Sequence, residues 1–263
     1  MKFVEPEVKP YSEITKAHTR LMKCPLALEE SRAYWQRAEI GGDLPSGQEA
    51  FDQYWFGAKS LSWVKILLRN FQIRYGGFPD SLEVLQSWNN MMPDTRVAIC
   101  HWHMQLTDPL YRQFTGDYLV ARRKSADPEL HLSSVVSWVS DNGQGSWTMG
   151  TKKKLALKLL SAAHSVGLLS GKRNPRTPVY PKITDEALTY ILYLLRFTEY
   201  SGSRLDNFYL SSVGLSGSLL EARLRKLPSL KFQRMADVVE FNWQYPTLTA
   251  WAQAELPSYG MAT

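Results

Sequence analysis

Lys152, Lys153, Lys154 and Lys158 crowd into about two helical turns, and Lys172, Arg173 and Arg176 follow shortly after. Between Asp141 and Asp185 the chain holds eight Lys or Arg and no Asp or Glu, although its 263 residues together carry only +6. Cations gathered without carboxylates suit phosphates. Each phosphate they neutralise releases counterions, so such binding weakens with salt at a log–log slope of roughly 0.9 per contact. A face that served solubility alone would mix both signs. Thr148, Gly150 and Thr151 stand where a helix should begin, and free N–H groups, hydroxyls and the positive end of the helix dipole favour the same anion there. The exposed helix face adds Ser161, Ser165 and His164 but no Arg, Asn or Gln pair suited to bidentate base recognition, so contact to the backbone and shape of a duplex is expected. The expected DNA-binding residues are Thr151, Lys152, Lys153, Lys154, Lys158, Ser161, Lys172, Arg173 and Arg176.

Other chemistries find weaker footing. Gly145 and Gly150 have the glycine spacing of a phosphate loop, but Thr151-Lys152 reverses the required Lys-then-Ser/Thr order, and a helix end precedes them instead of a strand. His101 and His103 are two residues apart and diverge by about 200° on a helix, so they cannot share a metal and read as buried histidines. Gly214-Leu215-Ser216-Gly217 brings its second glycine too early for a nucleophile elbow, which leaves Ser216 as a helix cap. Carboxylates such as Glu29-Glu30 and Asp185-Glu186 sit at helix starts, where they answer the dipole. No enzyme, metal or cofactor is expected. Tyr54, Trp55, Phe56 and Trp63, on a segment with Lys59, Lys65, Arg69 and Arg74, could stack nucleobases, but aromatics at helical spacing are expected in the core.

The elements that must position these groups read as a string of helices. Residues 1–10 are expected to form an extended arm, and 11–40 to form helical segments broken at Cys24-Pro25. A turn-rich linker follows at 41–47, where Ser46 caps the next helix. Apolar steps of three and four predict one long helix over 48–75, ended by Gly76-Gly77-Phe78-Pro79. Shorter helices are expected from Asp80 to Met91, from Pro93 to Leu106, from Asp108-Pro109 to Lys124, and from Ala126-Asp127-Pro128 to Asp141. Over 151–166, Leu155, Leu159, Ala162, Ala163 and Val166 share one face, and Lys154, Lys158, Ser161 and Ser165 take the other. Gly167 suits a left-handed cap, followed by a short strand at Leu168-Leu169, a basic Pro-rich turn and a strand at Val179-Tyr180. The order returns as helices at 185–200, 205–213 and 216–227, strands at 232–235 and 238–243, and a last helix at 247–255. The expected fold is therefore mainly α, a helical bundle with two winged-helix-like modules (helix-turn-helix plus β-hairpin). Its expected divisions are an N-terminal helical region over 1–92, a middle module over 93–183 and a C-terminal module over 184–263.

Composition narrows the setting. A 44% hydrophobic content with nine Trp and thirteen Tyr supports a packed core. Two cysteines build neither a disulfide framework nor a four-cysteine zinc site. No signal-peptide core or 18-residue apolar run is seen, and 187–197 reads as a buried helix. A cytoplasmic protein without membrane contact is expected.

Trp147, Thr151, the Lys cluster, Leu155, Leu159-Leu160-Ser161 and Gly167-Leu168-Leu169 resemble the BrxA family of bacterial BREX phage-defence systems. So do the Leu188, Tyr190, Leu192-Tyr193-Leu194-Leu195 helix and the closing run from Val239 to Leu248. The resemblance covers most of 11–256 through diffuse, hydrophobic motifs. It implies an all-helical cytoplasmic protein with winged-helix modules, no catalytic residues, binding to double-stranded DNA through Lys152, Lys153, Lys154, Lys158, Lys172, Arg173 and Arg176, and other defence-system proteins as partners. A protein-interaction adaptor and a transcriptional regulator are the competing readings.

Overall fold

The computed structural model describes residues 9–43, 45–57, 59–235 and 238–256, and nearly all of the expected N-terminal arm lies outside them. The chain runs through β1 (Tyr11–Ser12), α1 (Arg20–Lys23), α2 (Leu28–Trp35), α3 (Gly47–Asp52) and α4 (Leu61–Phe71), and a π-helical turn at Gln72–Gly76 extends α4. Next come α5 (Pro79–Ser87), α6 (Pro93–Thr107), α7 (Pro109–Gln113), a second π-helical turn at Phe114–Tyr118, α8 (Leu119–Lys124), α9 (Leu132–Asn142) and α10 (Met149–Ser165). β2 (Leu169–Ser170) and β3 (Thr177–Pro178) pair antiparallel. The chain closes with α11 (Asp185–Arg196), β4 (Thr198–Glu199), α12 (Phe208–Ser212), α13 (Gly217–Leu224), the antiparallel pair β5 (Leu230–Met235) and β6 (Val238–Trp243), and α14 (Leu248–Glu255). The described chain is mainly α-helical, and among the described residues no helix is long and apolar enough to cross a membrane.

Two helices form the centre. Pro93 opens α6 at a position where its missing N–H costs nothing, and every residue from Ala98 to Thr107 is buried. Thr184 caps α11 by accepting from the Ala187 N–H at 3.1 Å, and every residue from Ala187 to Arg196 is buried. α6 and α11 pack against each other, and α14 covers α5 and α11. Each fully buried Leu or Ile on these helices stabilises by roughly 1.5–3 kcal/mol relative to exposure. On α11 the buried Arg196 donates to the Tyr245 and Pro246 carbonyls at 3.2 and 3.0 Å and lies over the Trp243 ring.

Segments distant in sequence interlock. β1 pairs in parallel with β4, Tyr11 opposite Thr198. Glu13 receives Arg112 Nε at 3.3 Å and also accepts from the Ser201 N–H and the Tyr209 hydroxyl. A single buried apolar cluster runs from Leu21 to Leu256 through elements of all three expected divisions.

Several elements depart from the periodic reading. The long helix expected over 48–75 is two helices, because the backbone turns left-handed at Tyr54 (φ 52°) and Gly57 (φ 71°) and Ser60 then caps α4 by accepting from the Trp63 N–H at 3.4 Å. α3 folds back onto α4, so apolar residues of both keep a helical step while facing each other. The helix expected from Ala126-Asp127-Pro128 starts instead at Leu132. Leu130 is held extended by paired backbone bonds to Arg176, and Asn174 Oδ1 accepts from the Leu132 N–H at 2.8 Å. The helix after Asp108 does run to Lys124, but through the π-helical turn. There a Cβ on Gly116 would fall 2.4 Å from Phe208 Cβ, so the missing side chain lets α12 approach. α5 ends at Ser87, short of the expected Met91.

Candidate nucleic-acid interface

α10 is built as its amphipathic pattern demands. Thr148 caps it, accepting from the Thr151 N–H at 3.3 Å. Leu155, Leu159, Ala162, Ala163 and Val166 are buried, joined by Ala156 and Leu160. Lys153, Lys154 and Ser161 are exposed, and Lys152 and Lys158 are half-buried. The helix end turns at Gly167 (φ 73°), as expected of a left-handed cap, and His164 donates from Nδ1 to the Leu169 carbonyl at 2.9 Å. His164 therefore fastens the helix to β2 instead of standing free on the outer face. Thr151 is likewise engaged: its N–H and hydroxyl both meet the Thr148 hydroxyl, so the amide that a phosphate could have used closes the cap.

The hairpin turn divides its cations between two roles. Lys172 and Arg173 are exposed at its tip. Arg176 points inward, donating to the Leu160 carbonyl at 2.7 Å and to the Lys172 carbonyl at 3.2 Å. Partial burial lowers its pKa. The hairpin pairs closer to its turn than expected, one residue later in the first strand and two residues earlier in the second, with Leu169 opposite Pro178 and Ser170 opposite Thr177. The Val179 N–H then extends the pairing to the Leu168 carbonyl.

Charge separates this unit from its C-terminal counterpart. Among the described residues, no carboxylate lies within 4.0 Å of Lys152, Lys153, Lys154, Lys158, Lys172 or Arg173. On the later unit Arg223 pairs with Asp185, while Glu221 receives Arg225 at 2.9 Å and Arg234 at 2.6 Å. The Arg234 and Arg225 guanidinium groups accordingly lower the Glu221 pKa. Two exposed strand residues, Met235 and Val238, are paired opposite each other, and Leu219 is exposed on α13.

The remaining candidates have structural places. His103 donates from Nδ1 to the Arg74 carbonyl at 2.9 Å, which leaves Nε2 to accept from the Tyr190 hydroxyl at 2.7 Å and to meet Ser81. His101 lies between the Tyr111 and Ser212 hydroxyls, each at 2.9 Å. Burial drives the pKa of both histidines down to about 3, so they stand neutral in the core. No group of three His, Cys, Asp or Glu able to hold a metal occurs among the described residues. Trp55 and Phe56 are buried and Tyr54 is exposed. Arg74, grouped in the sequence with Lys59, Lys65 and Arg69, is buried and donates to the Leu26 and Pro25 carbonyls at 2.8 and 3.2 Å. Ser216 occupies the cap position of α13, but its hydroxyl makes no capping bond.

Two basic features were not read from sequence. Arg123 lies over the Tyr180 ring at 4.3 Å and donates to the Ser212 and Val179 carbonyls, tying α8 to the hairpin end and to α12. A cleft of about 450 Å³ between α1 and α4 is lined by Arg20, Lys23, Lys65 and Arg69. Its cations stand on two segments more than forty residues apart, so no single window shows them together.

No protein-family model and no curated protein matches the chain. A solved structure of an uncharacterised protein from Magnetospirillum magneticum is similar in fold, with a TM-score of 0.53 at 14% identity, covering 69% of this chain and 97% of that one.

Proposed function

We propose that this chain is a non-enzymatic binder of double-stranded DNA, gripping the phosphate backbone through α10 and the β2–β3 turn, within a bacterial phage-defence system of the BREX type. The observation that carries the reading is a set of cations without carboxylate partners among the described residues: Lys152, Lys153, Lys154 and Lys158 on the helix, Lys172 and Arg173 on the turn. Six such groups placed along a duplex would release counterions with a combined log–log salt slope of about 5. The element order favours a winged-helix reading. α8, the Leu130 bridge, α9 and α10 are followed by a hairpin whose second strand takes Leu130 on its free edge. In such modules the third helix enters the major groove and the turn follows the backbone. α11, α12, α13 and the β5–β6 hairpin repeat the order, although β4 pairs with β1 and not with the hairpin.

Fluorescence anisotropy with a labelled duplex, across a salt series, tests the reading. The Lys153→Glu/Lys154→Glu/Lys158→Glu/Arg173→Glu variant alters only side chains for which no hydrogen bond or ion pair is seen, so it should fold and lose binding. Equal affinity of variant and wild type would remove the site. A second reading, as an adaptor for other defence-system proteins, rests on the neutralised arginines and the exposed Leu219, Met235 and Val238 of the C-terminal unit. Partner capture that survives both nuclease and the same charge reversal would favour it. Protection of one operator sequence, absent on random DNA, would favour a transcriptional regulator.

A further inference from the structure

We infer that the cleft between α1 and α4 is a second phosphate-binding site, which takes the backbone of the same DNA duplex beyond the stretch held by α10. This inference rests on the DNA-binding reading and extends it to surface outside the α10 unit. Lys65, Ile66, Arg69 and Asn70 of α4 and Ile73 of the π-helical turn that extends it line one side, and Arg20 and Lys23 face them from α1. Four of the lining residues are cations and none is a carboxylate. Among the described residues no carboxylate lies within 4.0 Å of any of the four. Asp108 is buried, faces His18 at 3.7 Å and lines a small adjoining cavity that shares His18, Arg20, Asn70 and Ile73 with the cleft.

Lys23, Lys65 and Arg69 are exposed, and two of the four cations have holding contacts. Arg20 donates to the Thr107 carbonyl at 3.3 Å, and His18 reaches the same carbonyl from Nε2 at 2.9 Å, fixing the start of α1. The Lys65 stem lies against Gly47, where a Cβ would fall 2.4 Å from its Cγ, while the residue stays exposed. Burial lowers the Arg20 pKa, opposed by the Asp108 carboxylate and reinforced by the neighbouring Arg69 and Arg74. Ile66 and Ile73 give the wall an apolar part against which sugars can lie.

Position links the cleft to the first site. Gln144, in the loop that leads into α10, donates to the Ala17 carbonyl at 2.7 Å, and α1 packs against α10. The lysines at the start of α10 and the cations of α1 therefore lie on neighbouring elements joined at that loop.

The test compares wild type with Lys23→Gln/Lys65→Gln/Arg69→Gln and with the corresponding Glu variant, by anisotropy on a 30-bp duplex over a salt series. The expected result is a salt slope smaller by about 2–3, from roughly 0.9 per lost contact, with Kd raised at least about tenfold. Circular dichroism and the thermal midpoint should not change. A Lys226→Gln/Lys231→Gln variant, which removes exposed charge from the C-terminal unit, should keep the wild-type slope. A wild-type slope in the cleft variants, or an equal fall in the Lys226/Lys231 control, overturns the second site while DNA binding through α10 stands. Absence of duplex binding by wild type overturns both.

Discussion

Arg173 and Arg176 lie three residues apart on the same turn, and the structure gives them opposite tasks. Removing the Arg176 side chain deletes two hydrogen bonds from a charged donor, to the Leu160 carbonyl at 2.7 Å and the Lys172 carbonyl at 3.2 Å. Such bonds contribute about 1.5–3 kcal/mol when sheltered and less when water competes. Arg176 is half-buried, and the bond to the Lys172 carbonyl is exposed, so Arg176→Ala should cost about 1–2 kcal/mol. That corresponds to a thermal midpoint lower by roughly 2–8 °C in a chain of this size. Arg173→Ala, at an exposed position with no side-chain hydrogen bond or ion pair among the described residues, should change stability by less than about 0.5 kcal/mol. DNA binding should respond in the reverse order when measured well below either midpoint. Arg173→Ala lowers the salt slope by about 0.9, whereas Arg176→Ala leaves the slope unchanged. Thermal and urea denaturation, paired with anisotropy on the same preparations, give both readouts. An Arg176→Ala protein of wild-type stability with a reduced salt slope would refute the inward role assigned to this arginine.

Gly116→Ala should destabilise by about 1–3 kcal/mol, because its Cβ would meet Phe208 and force α12 away from the second π-helical turn; calorimetry measures the loss. His101 and His103, with pKa values near 3 in the fold against about 6.5 when unfolded, leave the unfolded chain binding more protons as pH falls. Their contribution is full above about pH 6.5 and is lost as pH drops towards 3, by up to about 1.4 kcal/mol per pH unit for each histidine. Urea midpoints from pH 7 to 4 should show that slope, and a His103→Gln protein should show less of it.

Much of the helical order was legible because side-chain periodicity is a local property. α10, α11, α14 and the β5–β6 pair lie close to where spacing, capping residues and glycines put them. The left-handed Gly167 and the Thr148 and Thr184 caps follow from chemistry within four residues. The division of 48–75 into α3 and α4 was not legible, since two helices folded face to face keep the same apolar step as one continuous helix. Nor was the late start of α9, which depends on Asn174 and Arg176 arriving from more than forty residues away.

The sequence by itself determined that cations gather between Asp141 and Asp185, that the face of α10 bearing Lys153 and Lys154 turns away from the core, and that helices dominate. Charge content and amphipathic period need no tertiary partner to be read. Only the tertiary structure decided which cations remain free: it folded Arg176 onto the Leu160 carbonyl, buried Arg74 and set acids against Arg223, Arg225 and Arg234. It also brought Arg20 and Lys23 opposite Lys65 and Arg69. Whether a charge is available to a ligand depends on the carbonyls and carboxylates that reach it through space, and those come from distant parts of the chain.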